Sequence, residues 1–308
     1  MSKKILITDD LFIFGRHETI LRGAGYTDLL RIGGMASEDE LCEAIRGAEG
    51  YILGGIETVT SRVIEAGAPT LRAIAFTGAG YREFIPGHEE ATARGIKITN
   101  APGANASSVA EFTLSLILPM IRRIPELVDP NGIKAFEAPD FEDLTVAVVG
   151  YGQIGKRVAK LAKALGLNVV IVARSNNEDN GGFEQISLDD LPTRANVVTL
   201  HVSKEYGENV LDADLIERLR PNTIIINAAF PEAVDKMALA RRLRAGELRA
   251  AFDRGMEVNL SEVPAGHYIA SKVQSGFYST RALQRTSDMA TQSLLNVLTT
   301  GTDTFVVN

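Results

Sequence analysis

Six consecutive residues carry the clearest chemical message in the chain: Gly150-Tyr151-Gly152-Gln153-Ile154-Gly155. Glycines at this spacing can cradle a pyrophosphate when a strand leads in and a helix leads out. Both flanks are present. Thr145–Val149 is a continuous apolar run, and Ile154, Val158, Leu161, Ala162 and Leu165 recur at helical spacing before Gly166 supplies a stop. In such a turn the first glycine permits the tight bend, the second lets backbone approach a phosphate, and the third lets helix pack closely on strand. Free N–H groups and the positive end of the helix dipole then favour an anion there. The pattern predicts dinucleotide binding; a tight strand-to-helix turn that binds nothing is the plainer alternative.

The end of the next apolar run bears on which dinucleotide. Val169–Val172 leads into Ala173-Arg174-Ser175, roughly twenty residues beyond the glycines. A carboxylate at that point would hydrogen-bond a ribose 2′-hydroxyl. None stands there. Ala173 leaves room, Arg174 can pair with a 2′-phosphate, and Ser175 can donate to it, so the sequence favours NADP(H) over NAD(H). Glu178 or Asp179 is the alternative source of an acidic group.

These motifs need elements to hold them. Apolar runs at Ile5–Ile7, Tyr51–Leu53, Ala73–Phe76 and Ile96–Ile98 alternate with helical segments around Glu38–Arg46, Arg62–Ala66 and Glu89–Arg94. A second series follows at Thr145–Val149, Val169–Val172, Val197–Leu200, Ile224–Ile226 and Ala250–Phe252. Uninterrupted apolar strands alternating with helices imply parallel sheets covered on both faces, and two such series imply two doubly wound α/β lobes. Asn100–Asn105 reads as an irregular join, and Ser108-Val109-Ala110-Glu111 has capping-box spacing for a helix running towards Arg122 and Arg123. Pro119 predicts a kink or an early end. Thr286–Leu298 reads as a final helix, with Met289, Leu294, Leu295 and Leu298 on its apolar face.

Composition removes other function classes. The 308 residues carry 32 Lys and Arg against 39 Asp and Glu, a formal net charge of −7, which lacks the basic footprint of nucleic-acid or anionic-membrane binding. Hydrophobic residues at 45% suffice for a substantial core. One cysteine, Cys42, excludes an internal disulfide and any multi-thiolate metal site; no metal is expected. The opening residues are too short an apolar stretch for a secretory leader, and Pro119 breaks the longest apolar run, so a cytoplasmic protein is expected.

With the nucleotide motif placed, the order of the other segments resembles the D-2-hydroxyacid dehydrogenase family over nearly the whole chain. The residues carrying the resemblance are Gly78-Ala79-Gly80-Tyr81, Arg94-Gly95-Ile96, Asn100-Ala101-Pro102-Gly103, Phe141–Leu144, the glycine turn, Asn196–His201, Leu219–Asn222, Ile226-Asn227-Ala228, Val234-Asp235, Ala251-Phe252-Asp253 and Phe305–Asn308. The resemblance implies two Rossmann-like lobes with an interdomain cleft. Residues 1–99 with 281–308 would form a flavodoxin-like substrate-binding domain, and 100–280 the dinucleotide-binding domain. It implies that the loop Gly78-Ala79-Gly80-Tyr81 binds a small-molecule substrate's carboxylate; Arg82, just after it, departs from the family and could supply a positive charge there. Ala228, Asp253 and His201 would lie by the cofactor, Asp253 on the nicotinamide amide. A homodimer through the dinucleotide-binding domain is implied as well.

The family's chemistry needs an arginine for the substrate, a histidine to pass a proton, and a glutamate to orient that histidine. Phe230 stands where the arginine is expected, Gln274 where the histidine is expected, and Glu257 is the candidate glutamate, followed by Val258 where proline is usual. Lys272 beside Gln274 is a candidate acid, or simply an exposed lysine. His267 and His88 are further candidates, against ordinary surface histidines, and Arg82 replaces a usual acidic residue with a cation. Arg241, Arg242 and Arg244 read as the basic last turn of a helix ending at Gly246. The resulting expectation is an NADP(H)-dependent oxidoreductase with an atypical site, in which Phe230 suits a less polar or carboxylate-free substrate. A non-catalytic nucleotide-binding scaffold or sensor, and a plain 2-hydroxyacid dehydrogenase with a rearranged site, are the alternatives.

Overall fold

A computed structural model describes residues 3–8, 13–130, 132–174 and 180–308. The chain divides into two compact units: Met1–Asn105 together with Ser279–Asn308, and Ala106–Tyr278. The first contains β1 (Lys4–Thr8), α1 (Gly15–Gly23), β2 (Asp28–Ile32), α2 (Glu38–Ala44), β3 (Ala48–Leu53), α3 (Ser61–Gly67), β4 (Ala73–Phe76), α4 (His88–Ala93) and β5 (Lys97–Thr99). The second opens with α5 (Ala106–Ile121), α6 (Ile124–Val128), β6 (Thr145–Val149), α7 (Gln153–Ala164) and β7 (Asn168–Val172). It continues through β8 (Glu184–Gln185), α8 (Leu191–Arg194), β9 (Val197–Leu200), α9 (Lys204–Gly207) and α10 (Ala213–Arg218). It ends with β10 (Ile224–Asn227), α11 (Lys236–Arg244), β11 (Arg249–Phe252) and β12 (Tyr268–Ala270). A last helix, α12 (Thr280–Thr300), belongs to the first unit.

Each unit is a doubly wound parallel sheet, the α/β architecture that the alternating runs imply. The first sheet has the order β2-β1-β3-β4-β5 and the second β12-β11-β10-β9-β6-β7-β8. Every strand pair is parallel. In β1 the run Ile5-Leu6-Ile7 is fully buried because apolar side chains cover both faces of the sheet. Leu6 packs with Leu41, Val63 and Ile74 on one side; Ile5 and Ile7 pack with Leu294 and Leu298 of α12 on the other. At Gly50 in β3, a Cβ would stand about 3.0 Å from both Leu294 and Leu298, so α12 can settle on the strand only because no side chain is there.

Several local expectations are corrected. Ser108 does not cap α5: the helix already begins at Ala106, and the buried Ser108 hydroxyl donates instead to the Gly276 carbonyl at 2.7 Å. The early end expected from Pro119 is found: it lies in the last turn of α5, which continues only to Ile121, with Arg122 and Arg123 beyond and Arg123 turning the backbone at φ 52°. On α7, Leu161 and Leu165 are 40% and 43% exposed, and the packed face is made by Gly155, Val158, Ala159 and Ala162. The final helix starts at Thr280, six residues earlier than its apolar stripe suggests, with the Ser279 hydroxyl accepting from the Ala282 amide. His267 is neither exposed nor available as a donor to substrate. It is buried, with Nδ1 bonded to the Leu248 carbonyl at 3.1 Å and Nε2 3.7 Å from Glu126. Arg242 is buried too, donating to the carbonyls of Ile216, Glu217 and Leu219, and so it caps the carboxyl end of α10.

Candidate functional site

In a parallel sheet, ligands bind beyond the carboxyl ends of the strands where strand order reverses. In the second unit that point lies between β6 and β9. The glycine turn leaves β6 there, and His201 follows β9, its amide donating to the Val149 carbonyl at 2.8 Å. Gly150 has φ +93°, and a Cβ on it would lie 2.5 Å from the His201 carbonyl oxygen. At Gly155 a Cβ would overlap the Gly150 carbonyl. At Gly152 it would meet nothing within 4 Å. Two glycines are therefore demanded by the fold itself, whereas the middle one keeps a face open at the start of α7. That open face above free helix N–H groups fits a pyrophosphate.

The neighbouring residues frame the turn. Tyr151 is buried; its hydroxyl donates to the Asn180 carbonyl at 3.0 Å, its ring stands edge-on to Phe183, and Lys156 lies over the ring. Tyr151 thus anchors the segment returning from β7. Gln153 is exposed and bonded to Arg157, and Ile154 packs on the core beneath. Ala173 is half-buried, its carbonyl accepting from Gln185, and Arg174 is exposed. Ser175, with Glu178 and Asp179, lies outside the described residues. Among the described residues His201 makes one side-chain bond, Nε2 to Thr199 Oγ1 at 2.9 Å, and its buried Nδ1 has no partner there. Burial lowers its pKa to about 3, so the ring is neutral.

Two side chains organise the loops at the ends of β10 and β11. Asn227 accepts from the Ala229 amide and donates to the Phe230 carbonyl, which shapes the turn holding Ala228. Asp253 is buried and accepts from the amides of Ser275 at 2.7 Å and Gly276 at 3.0 Å. Burial raises its pKa against the lowering effect of those amides.

In the first unit, Gly78-Ala79-Gly80 leaves the carboxyl end of β4. The Gly78 and Ala79 carbonyls accept from the Ala101 amide and the Asn100 side chain, both at 2.8 Å, fixing the loop. The N–H groups of Gly78, Ala79 and Gly80 donate to no group among the described residues. Tyr81 is buried and donates to the Val307 carbonyl; the exposed Arg82 bonds His88 at 2.9 Å. Among the described residues no cluster of His, Cys, Asp and Glu could hold a metal, and no helix is long and apolar enough to cross a membrane.

Residues 114–263 match the model of the D-isomer specific 2-hydroxyacid dehydrogenase NAD binding domain. The hydroxypyruvate reductase of Thermotoga maritima is 30% identical over 233 residues, an alignment covering 74% of each chain. The chain belongs to the D-isomer-specific 2-hydroxyacid dehydrogenase family. The D-3-phosphoglycerate dehydrogenase of Methanocaldococcus jannaschii is 31% identical over 258 residues, covering 80% of this chain and 48% of that protein. The chain spans about half the length of the phosphoglycerate dehydrogenases it matches. The fold is that of the cofactor (NAD+) bound 3-phosphoglycerate dehydrogenase of Entamoeba histolytica, with TM-score 0.81, 22% identity, and 100% and 99% of the two chains covered.

In this family member the residues at the positions expected to be catalytic lie as follows. The Phe230 ring packs against the core of the second unit, its tip close to Gly207. Gln274 and Lys272 are exposed. The Glu257 side chain is 85% exposed and lies 3.7 Å from Arg254, so its charge is spent on a solvated pair and not on a buried partner.

Two buried carboxylates escaped the sequence reading. Glu57 is 4% exposed at the carboxyl ends of β1 and β3, where Thr8 and the Tyr51 hydroxyl (3.0 Å) both donate to Oε1, and Oε2 has no partner among the described residues. Glu126, 3% exposed, binds Arg123 and Arg249, the latter at 2.8 Å. Each has one near partner, Tyr51 six residues off and Arg123 three, but its burial also needs a distant one, Thr8 at 49 residues and Arg249 at 123.

Proposed function

We propose that this family member is an oxidoreductase that uses NADP(H) in preference to NAD(H) and moves hydride to or from a carbonyl or hydroxyl carbon by an atypical site. The observation that carries the reading is the glycine turn at the strand-order reversal, open only at Gly152. A bound nicotinamide dinucleotide supplies the hydride. The chain's own part is to hold the pyrophosphate on the amides after Gly150 and to meet a 2′-phosphate with Arg174, where no acid stands at 173–175. Asp253 fixes the 275–276 turn, and Ala228 and His201 line the strand ends beside the nucleotide.

Proton transfer takes a different route from the family's histidine, because neither Phe230 nor Gln274 exchanges a proton at neutral pH. Lys272, two residues before Gln274, is the candidate donor. One observation favours a second reading, a nucleotide-binding scaffold or sensor without turnover: Glu257 and Gln274 are both solvated and Phe230 serves the core. For the homodimer, exposed Ile124, Leu127 and Val128 on α6, Leu161 on α7 and Leu165 just after it give the second unit apolar side chains to cover.

Fluorescence titration with NADPH and NADH, followed by cofactor oxidation with glyoxylate, hydroxypyruvate and propanal, tests the reading. NADPH should bind about tenfold or more tightly than NADH, a difference of about 1.4 kcal/mol, and R174A should abolish that preference. Equal or tighter NADH binding overturns the NADP(H) assignment. Tight NADPH binding with no oxidation by any of the three carbonyls selects the sensor.

A further inference from the structure

The loss of an arginine at position 230 takes a positive charge from the second unit, and the first unit carries one that the family pattern lacks. Arg82 follows the Gly78-Ala79-Gly80 loop directly. Its Nη1 donates to His88 Nε2 at 2.9 Å, and its guanidinium stacks 5.5 Å from the centre of the Tyr81 ring. A guanidinium can only donate, so His88 Nε2 must be the acceptor and its proton must sit on Nδ1. That proton is used as well: Nδ1 donates to the Ile85 carbonyl at 3.0 Å. The imidazole also stands edge-on to Tyr81, with ring centres 5.9 Å apart. His88 is thereby fixed in one tautomer, with a single acceptor aimed at Arg82.

The consequence for Arg82 is geometric. Anchoring Nη1 leaves the Nε and Nη2 edge, which has no partner among the described residues. This is the edge that grips a carboxylate with two parallel hydrogen bonds. Immediately before it in the chain are the undonated N–H groups of Gly78, Ala79 and Gly80. Successive backbone N–H groups in a turn form an anion-binding concavity.

We propose that Arg82 is the substrate-carboxylate clamp of this enzyme and that His88 is the positioning residue that holds it. The substrate is then an acid of the family's own class, and a carboxylate-free carbonyl is a poor substrate. This inference rests on the oxidoreductase reading above and deepens it by assigning the residues of this chain that hold the carboxylate. It also sets aside the expectation that Phe230 marks a less polar substrate, since that half-buried ring packs against the core.

The test uses the full chain with NADPH, glyoxylate and hydroxypyruvate as substrates, propanal as the carboxylate-free control, and oxamate as a non-reacting probe of binding. R82Q should raise KM for glyoxylate about 10- to 100-fold with kcat changed far less, weaken oxamate binding by a similar factor, and leave NADPH affinity unaltered. H88A should give a smaller rise in KM, and H88Q, whose amide can both accept from Arg82 and donate to Ile85, should restore much of it. Unchanged KM and oxamate affinity in R82Q overturn the proposal, as does faster oxidation with propanal than with glyoxylate. Failure of the wild-type chain to bind NADPH at all instead overturns the oxidoreductase reading.

Discussion

Asp253, at the end of β11, holds the backbone amides of Ser275 and Gly276 on one carboxylate oxygen, at 2.7 and 3.0 Å. The Gly276 carbonyl in turn accepts the Ser108 hydroxyl, so one carboxylate joins a strand end, a turn and the first turn of α5. A Cβ at Gly276 would stand 2.8 Å from Asp253 Oδ2. Replacing Asp253 by alanine strands two amides, the Gly276 amide being buried. D253A should lower the unfolding free energy by about 2–4 kcal/mol, since each stranded donor costs about 1–3 kcal/mol. A urea midpoint within error of wild type would show the turn to be held by other contacts.

The three glycines make different predictions under the same substitution. G155A places a Cβ on the Gly150 carbonyl and should unfold the turn, with a clear loss of thermal stability. G152A meets no protein atom and should fold with a melting temperature near wild type. Its NADPH affinity should nevertheless fall about tenfold or more, because the methyl occupies the approach of the pyrophosphate. Unchanged affinity in G152A would place the phosphates elsewhere.

Two buried groups give opposite slopes of stability with pH. Burial raises the Glu57 carboxyl above its ordinary range, so its folded form holds a proton more readily than the unfolded chain does. That contribution is complete below about pH 4.3 and is lost as pH rises. His201 is held down to about 3, so its contribution is complete above about pH 6.5 and is lost as pH falls, by about 1.4 kcal/mol per unit. Denaturant unfolding from pH 4 to 8 should show E57Q losing the decline on the alkaline side and H201Q losing the decline on the acid side. Superimposable profiles for either variant and wild type would exclude that group as the source.

Glu126 and Arg249 form a pair in which both side chains are more than nine-tenths buried, with Arg123 on the same carboxylate. Removing one member leaves a buried charge without its partner. E126A should therefore destabilise by about 3–5 kcal/mol in denaturant melts, far more than E257A, whose side chain is solvated. Comparable losses in the two variants would contradict the burial argument.

What the sequence showed and hid follows from where each segment sits. The central strands β1, β3, β6 and β9 are apolar on both faces and stand out as runs. Asp28–Ile32 and Tyr268–Ala270 escaped notice because they are edge strands, only partly covered, and their mixed composition carries no run. Gly15–Gly23 was missed for a similar reason: only His17 and Leu21 of this helix are buried. The nucleotide turn was legible because its chemistry is local, with strand, glycines and helix contiguous. His88 as a holder of Arg82, Glu57 under Thr8 and Tyr51, and Glu126 on Arg249 depend on partners brought together by folding.

The return of α12 to the first sheet sets an order of events during synthesis. Ile5 and Gly50 are covered by Leu294 and Leu298, which leave the ribosome some 240 residues after Gly50. The first unit is therefore the last to be completed, although most of it is made first. Ala106–Tyr278 has all its strands before α12 emerges. The nascent amino-terminal third must wait with one face of its sheet covered only by α1 and its neighbours, and a stall late in translation would expose the rest of that face to chaperones or to other chains.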